Sequence, residues 1–181
     1  MNLFIGALVG GGGVLVAQYW GKGDRRTITN LLCLTIKIGF CISLIFFALA
    51  FFCPEALMHI FTTDEALIEI GASYLRIVSF SYLFVGITQC YYMVMRVEGK
   101  AAKCVTISIV TVVADMVIDF FLIYGIAGAP RLEANGAAYS TIVVEAIGMI
   151  WCMVESYRGD CIHPDLEGMQ WFSPVYIKDL L

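Results

Sequence analysis

Apolar runs long enough to cross a lipid bilayer recur along almost the whole chain, at approximately residues 3–20, 29–53, 72–95, 104–126 and 137–156. A membrane helix needs ~20 mostly apolar residues at a rise of 1.5 Å each. Hydropathy therefore predicts five membrane-spanning helices and an all-α polytopic membrane protein. The 181 residues are 60% hydrophobic and 14% charged, against roughly a quarter charged in an ordinary soluble domain. Because the apolar character is spread along the length, a soluble domain with a single anchor is excluded. The first residues also lack the basic segment of a cleavable signal peptide.

Charge and helix breakers gather in the connections, GKGDRRT, CPEALMHIFTTDEALIEIG, MRVEGKAAK and GAPRLEANG, which read as loops. The second connection keeps an apolar pattern of its own, through Leu57, Ile60, Phe61, Leu67, Ile68 and Ile70. It predicts short interfacial helices, with Thr63 or Asp64 capping the second. Lys22, Arg25 and Arg26 fall in the first connection and Arg96, Lys100 and Lys103 in the third. The second and fourth hold mainly Glu55, Asp64, Glu65, Glu69 and Glu133. Excess Lys and Arg marks cytoplasmic loops, so the first and third connections are expected inside. The same rule puts the more polar tail inside, with Arg158 and Lys178, and the N-terminus outside. An outside start without a signal sequence leads us to expect a further helix upstream.

Soluble catalytic patterns are missing: there is no GxSxG, no HExxH and no phosphate-binding loop. Gly10 to Gly13 lie inside an apolar span without the Lys and Ser/Thr that a phosphate loop requires, and with Gly6 they read as a close-packing face. The seven cysteines, Cys33, Cys41, Cys53, Cys90, Cys104, Cys152 and Cys161, include no CxxC pair and read as small apolar residues. Nothing in the charge distribution calls for a nucleic acid, and no cofactor is expected.

Chemistry is carried by ionisable groups inside the spans. An Asp or Lys at the centre of a membrane helix costs about 2.5–3.5 kcal/mol on insertion scales, so such a residue usually faces a cavity or a partner. Asp115 lies near the middle of its span and Asp119 one helical turn later on the same face. Two carboxylates sharing a low-dielectric cavity resist ionising together and titrate as a coupled unit. Such a pair can hold a proton, or a monovalent cation with help from hydroxyl and carbonyl oxygens. The structural alternative is a pair that simply meets Lys37 or faces the protein interior. Glu145, preceded by Tyr139, Ser140 and Thr141, is a candidate to line the same cavity, as are Gln89 and Gln18. Lys37 lies close enough to its helix end for its stem to snorkel.

Several segments resemble one known family. Val14-Leu15-Val16-Ala17-Gln18-Tyr19-Trp20-Gly21-Lys22-Gly23-Asp24 is similar to the end of the second helix of MATE (multidrug and toxic compound extrusion) transporters. Ala72-Ser73-Tyr74-Leu75-Arg76-Ile77 resembles the start of that family's fourth helix, and DMVIDFFLIYG from Asp115 to Gly125 its fifth. Asn135-Gly136-Ala137-Ala138-Tyr139-Ser140-Thr141 resembles the start of its sixth. The order and spacing agree across nearly the whole chain.

The resemblance implies a twelve-helix fold of two six-helix lobes around a central cleft. Residues 1–156 would supply helices two to six of the first lobe. Residues 157–181 would form the cytoplasmic connector, with Ile177 to Leu181 approaching helix seven. The first helix and the second lobe would be missing, and a fragment of this kind is expected to be inactive alone. The implied activity is secondary antiport in a bacterial inner membrane, exporting organic, often cationic, drugs or toxins in exchange for sodium or protons, with no enzymatic step. Asp119 matches the family's acidic residue on the fifth helix and Thr141 a sixth-helix threonine of its cation site. Asp115 stands where the family has Asn, a departure that adds negative charge. The alternatives are a lipid-linked saccharide flippase of the same superfamily and a non-transporting membrane subunit.

Overall fold

In the computed structural model the described residues are 1–124, 134–158, 162 and 164, and every regular element among them is helical. The elements are α1 (Asn2–Gly21), α2 (Arg25–Phe52), α3 (Pro54–His59), α4 (Glu65–Val78), α5 (Ser81–Val97), α6 (Ala101–Tyr124) and α7 (Ala134–Arg158). In hydrocarbon a backbone must satisfy its own amides, which a helix does within one segment. Four helices, α1, α2, α6 and α7, are long and apolar enough to cross a membrane, and α4 with α5 makes a fifth span bent by 48°. The fourth connection and all of the 157–181 tail apart from Tyr157, Arg158, Ile162 and Pro164 lie outside the described residues.

The span read over 72–95 is thus bent within its length. The cause of the bend is local: Ser79 Oγ donates to the Arg76 carbonyl at 2.8 Å and Ser81 Oγ to the Val78 carbonyl at 2.7 Å. Around them the ladder tightens, with the Phe80 amide on the Ile77 carbonyl and the Tyr82 amide on the Ser79 carbonyl. Serine hydroxyls that take up carbonyls of the preceding turn bend helices. At the break Phe80 meets Phe47 and Phe51 of α2 at ring-centroid distances of 5.1 and 5.8 Å.

Turns between the spans follow from residue chemistry. Gly23 and Gly99 adopt φ of 72° and 79°, a left-handed conformation that costs glycine nothing. Asp24 then caps α2, accepting from the Thr27 amide at 3.1 Å and the Thr27 hydroxyl at 2.6 Å. Asp64 caps α4 by accepting from the Ala66 amide at 3.0 Å, as the sequence anticipates.

Two ends of the bundle differ in charge. At one end Lys22 lies over Tyr19, Arg25 over Trp20 and Arg96 over Tyr92, and Lys103 of α6 pairs with Glu155 of α7. Glu55, Asp64, Glu65 and Glu69 gather at the other, on α3, α4 and the turn between them. The first and third connections thus share one end, the arrangement the charge asymmetry calls for.

The core is formed by α1, α2 and α5 around Val16, Ile28, Leu31, Leu32, Cys90 and Val94. A β-carbon at Gly12 would lie 2.9 Å from Met93 Sδ and one at Gly13 3.6 Å from Met93 Cγ, so that close helix packing falls to Gly12 and Gly13, while a β-carbon at Gly6 or Gly10 would meet nothing within 4 Å. In contrast, α6 turns Val105, Ile109, Val113, Met116, Val117 and Phe120 outward. A helix apolar on an exposed face is suited to lipid. Cys33, Cys90, Cys104 and Cys152 are buried and Cys41 and Cys53 exposed.

Candidate functional site

The helices that carry the acidic residues, α6 and α7, pack chiefly on each other. Glycine permits this at both ends of the contact: a β-carbon at Gly136 would lie 3.1 Å from the Leu122 backbone, and one at Gly148 3.1 Å from the Thr111 methyl. Between these two close approaches lie Asp115, Asp119 and Ser140.

Ser140 is fully buried. Its Oγ lies 3.1 Å from Asp115 Oδ1, within hydrogen-bond reach of Asp119 Oδ1, and 3.0 Å from the carbonyl of Ala137. A serine hydroxyl has one proton to donate. Three acceptors therefore converge on a single donor, and with both carboxylates ionised the cluster is short of positive charge. Tyr74 of α4 also lies within electrostatic reach of both aspartates.

The predicted pair is thus brought together, but the hydroxyl that bridges it is not the one expected. Thr141 donates to the Ala137 carbonyl at 2.9 Å, and its neighbour Ser140 meets both acids. Consecutive residues on a helix differ in direction by about 100°, and the rotation of α7 depends on its close packing on α6 at Gly136 and Gly148, which no local sequence pattern shows. Tyr74 went unnoticed for a similar reason, since only the packing of α4 on α7 carries it toward the aspartates.

Glu145 faces a separate small cavity of about 130 Å³ between α5, α6 and α7, lined also by Thr88, Gln89, Tyr92, Ser108 and Thr111. It remains within electrostatic range of Asp115. Gln89 lies between this cavity and a larger open groove of about 650 Å³ formed by α1 and α5, whose walls include Gly6, Gly10, Val14, Met93 and Arg96. Gln18 is exposed on α1 and lines neither space. Among the described residues no group of three or more His, Cys, Asp or Glu is arranged to hold a metal ion.

Residues 2–121 match the sequence profile of the MatE family. The chain is 24% identical over 141 residues to the uncharacterized transporter YisQ of Bacillus subtilis (strain 168), covering 78% of this chain and 31% of that protein. To the probable multidrug resistance protein NorM of Bacillus cereus (strain ATCC 14579) it is 22% identical over 145 residues, 77% of this chain and 30% of that one. The chain thus spans about a third of the length of these relatives. Among solved structures it is similar to the inward-facing conformation of a multidrug resistance MATE family transporter of the MOP superfamily. The TM-score is 0.82 at 17% identity, over 99% of this chain and 42% of that one, a likeness of fold.

Proposed function

We propose, from the premise that this chain belongs to the MatE family, that it serves in secondary antiport, exporting organic and often cationic compounds in exchange for sodium ions or protons. The coupling site is the cluster of Asp119, Asp115 and Ser140. One observation supports this above the others: a single buried hydroxyl is shared among two carboxylates and a carbonyl inside a membrane helix pair. A carboxylate in a span is costly unless it serves a pathway or finds a partner, and here two share one donor. Ion binding at such a site favours whichever conformation draws the oxygens together, and only through that difference in affinity can it drive transport.

The drug path in this reading includes the groove between α1 and α5, whose volume of about 650 Å³ falls in the range of small-molecule sites, roughly 300–1,000 Å³. The membrane is the bacterial inner membrane, the first and third connections are cytoplasmic, and the C-terminal end of α7 lies on that side. Relatives are about three times as long. We therefore expect the 181 residues by themselves not to transport, the cleft needing a first helix and a second lobe.

The test is gradient-driven efflux of a fluorescent organic cation from vesicles expressing the protein from its native locus. Wild type is measured beside Asp119→Asn and Ser140→Ala, with sodium replaced by choline at fixed pH to separate the two ions. Asp119→Asn is expected to abolish efflux. Ser140→Ala should weaken the apparent affinity for the coupling ion about tenfold, the scale of one hydrogen bond to a charged group. Undiminished efflux in Asp119→Asn would end the assignment.

A further inference from the structure

The cavity at Glu145 is built differently from the aspartate cluster. Thr88 Oγ1 donates to the Phe84 carbonyl at 2.9 Å, Thr111 Oγ1 to the Ile107 and Ser108 carbonyls at 3.0 Å, and Ser108 Oγ to the Tyr92 hydroxyl at 3.4 Å. Their protons spent, these hydroxyls offer the cavity lone pairs only. The donors left in the lining are the Tyr92 hydroxyl and the Gln89 amide. No hydrogen bond or ion pair from either, or from any other described residue, reaches the Glu145 carboxylate. The space is therefore rich in acceptors and holds a half-buried carboxylate without a counter-charge.

Size narrows the occupant. At about 130 Å³ the cavity holds roughly four water volumes of ~30 Å³ each, far below the several hundred Å³ of a drug-sized site. A carboxylate with hydroxyl and amide oxygens is the donor set of a hard cation, which takes oxygen ligands.

We propose that Glu145, with Thr88, Gln89 and Thr111, forms a second site for a small monovalent cation, sodium or a proton carried on the Glu145 carboxylate, distinct from the aspartate cluster. The groups facing Glu145 from neighbouring helices are Asp115 on α6 and Tyr92 on α5. Arg96 stacks over the Tyr92 ring, and on α4 Tyr74 faces the aspartates beyond. Through Asp115 the two sites feel each other's charge, so occupancy of one disfavours the other. The proposal shares the idea of ion coupling with the function above but does not depend on the aspartate cluster being the coupling site.

The 181-residue chain in lipid nanodiscs is the material for the test. Radiosodium binding and the sodium-dependent rise in melting temperature are measured for wild type, Glu145→Gln, Thr111→Val and Asp119→Asn. Infrared difference spectra follow the protonated carboxyl band across pH. If sodium is the occupant, Glu145→Gln removes one class of sodium site, Thr111→Val weakens the same class, and Asp119→Asn leaves it intact. If a proton is the occupant, sodium has no effect at this site, and a carboxyl band that titrates in wild type vanishes in Glu145→Gln. Unchanged sodium binding together with an unchanged carboxyl band in folded Glu145→Gln overturns the proposal. Loss of sodium binding in Asp119→Asn alone, with Glu145→Gln unaffected in both measurements, overturns it as well while leaving the aspartate site standing. The reverse pattern sustains it against the aspartates.

Discussion

The backbone amide of Ile162 donates to Glu98 Oε1 across 2.7 Å, tying the chain beyond α7 to the turn that joins α5 to α6. The Glu98 side chain is 2% exposed, its second oxygen lies 3.3 Å from the Lys100 ammonium without hydrogen-bond geometry, and Ser156 Oγ holds the Ile162 carbonyl at 3.2 Å. Ile162 itself is inserted into the α1, α2 and α5 core. Glu98→Ala leaves a buried amide without an acceptor, a loss of about 1–3 kcal/mol. Glu98→Gln keeps an acceptor and should retain most of the stability. Equilibrium unfolding in mixed micelles measures both, and limited proteolysis should show faster cleavage beyond Arg158 in Glu98→Ala only.

Glycines that look alike in sequence should respond to alanine with opposite signs. At Gly148 and Gly136 an added methyl meets the Thr111 methyl and the Leu122 backbone at 3.1 Å, and crowding of this kind costs about 1–3 kcal/mol. Gly136→Ala is expected to be the worse of the two, because backbone yields less readily than a methyl group. Gly10→Ala meets nothing within 4 Å and gains up to about 1 kcal/mol of helix propensity. Unfolding midpoints of the three variants, compared under one detergent condition, give the signs directly.

Asp24 makes the start of α2 sensitive to acid. The hydrogen bond from the Thr27 hydroxyl, followed by that from the Thr27 amide, holds its carboxyl below the ordinary value of 3.8. A group whose folded value is depressed stabilises the fold above its unfolded value and loses that contribution as pH falls through the folded one. Amide exchange in the first turn of α2 should therefore be slow above the ordinary carboxylate value of 3.8 and accelerate as pH falls below it, beyond the intrinsic pH trend. In Asp24→Ala exchange should be fast throughout, without this extra acceleration.

What sequence conveys here follows from the range over which each signal acts. Asp115 and Asp119 were legible because a four-residue spacing on one helix is itself a geometric statement, and the cap at Asp64 because capping is local. Ser140 was passed over for Thr141 because the rotation of α7 about its axis depends on packing against α6 at Gly136 and Gly148. Of the glycines Gly6 and Gly10 to Gly13, close contact falls on Gly12 and Gly13, since a run of glycines does not say which of its faces finds a neighbour. The break at Ser79 and Ser81 is invisible to a hydropathy window, which averages over the few hydroxyls that cause it.

That break has a mechanical meaning. The hydroxyls of Ser79 and Ser81 travel with the carbonyls they satisfy, so the angle between α4 and α5 can change without exposing a bare peptide group to lipid. Tyr74 lies on one arm of this elbow, near the aspartates, and Gln89 and Tyr92 lie on the other, beside Glu145. Helix α4 is roughly 20 Å long, so flexing by about 10° sweeps its far end through roughly 3–4 Å. At Tyr74, about 7 Å from the break, the same flexing would amount to roughly 1 Å, so such an elbow would act as a lever that moves its far end most, with its fulcrum between the two acidic centres.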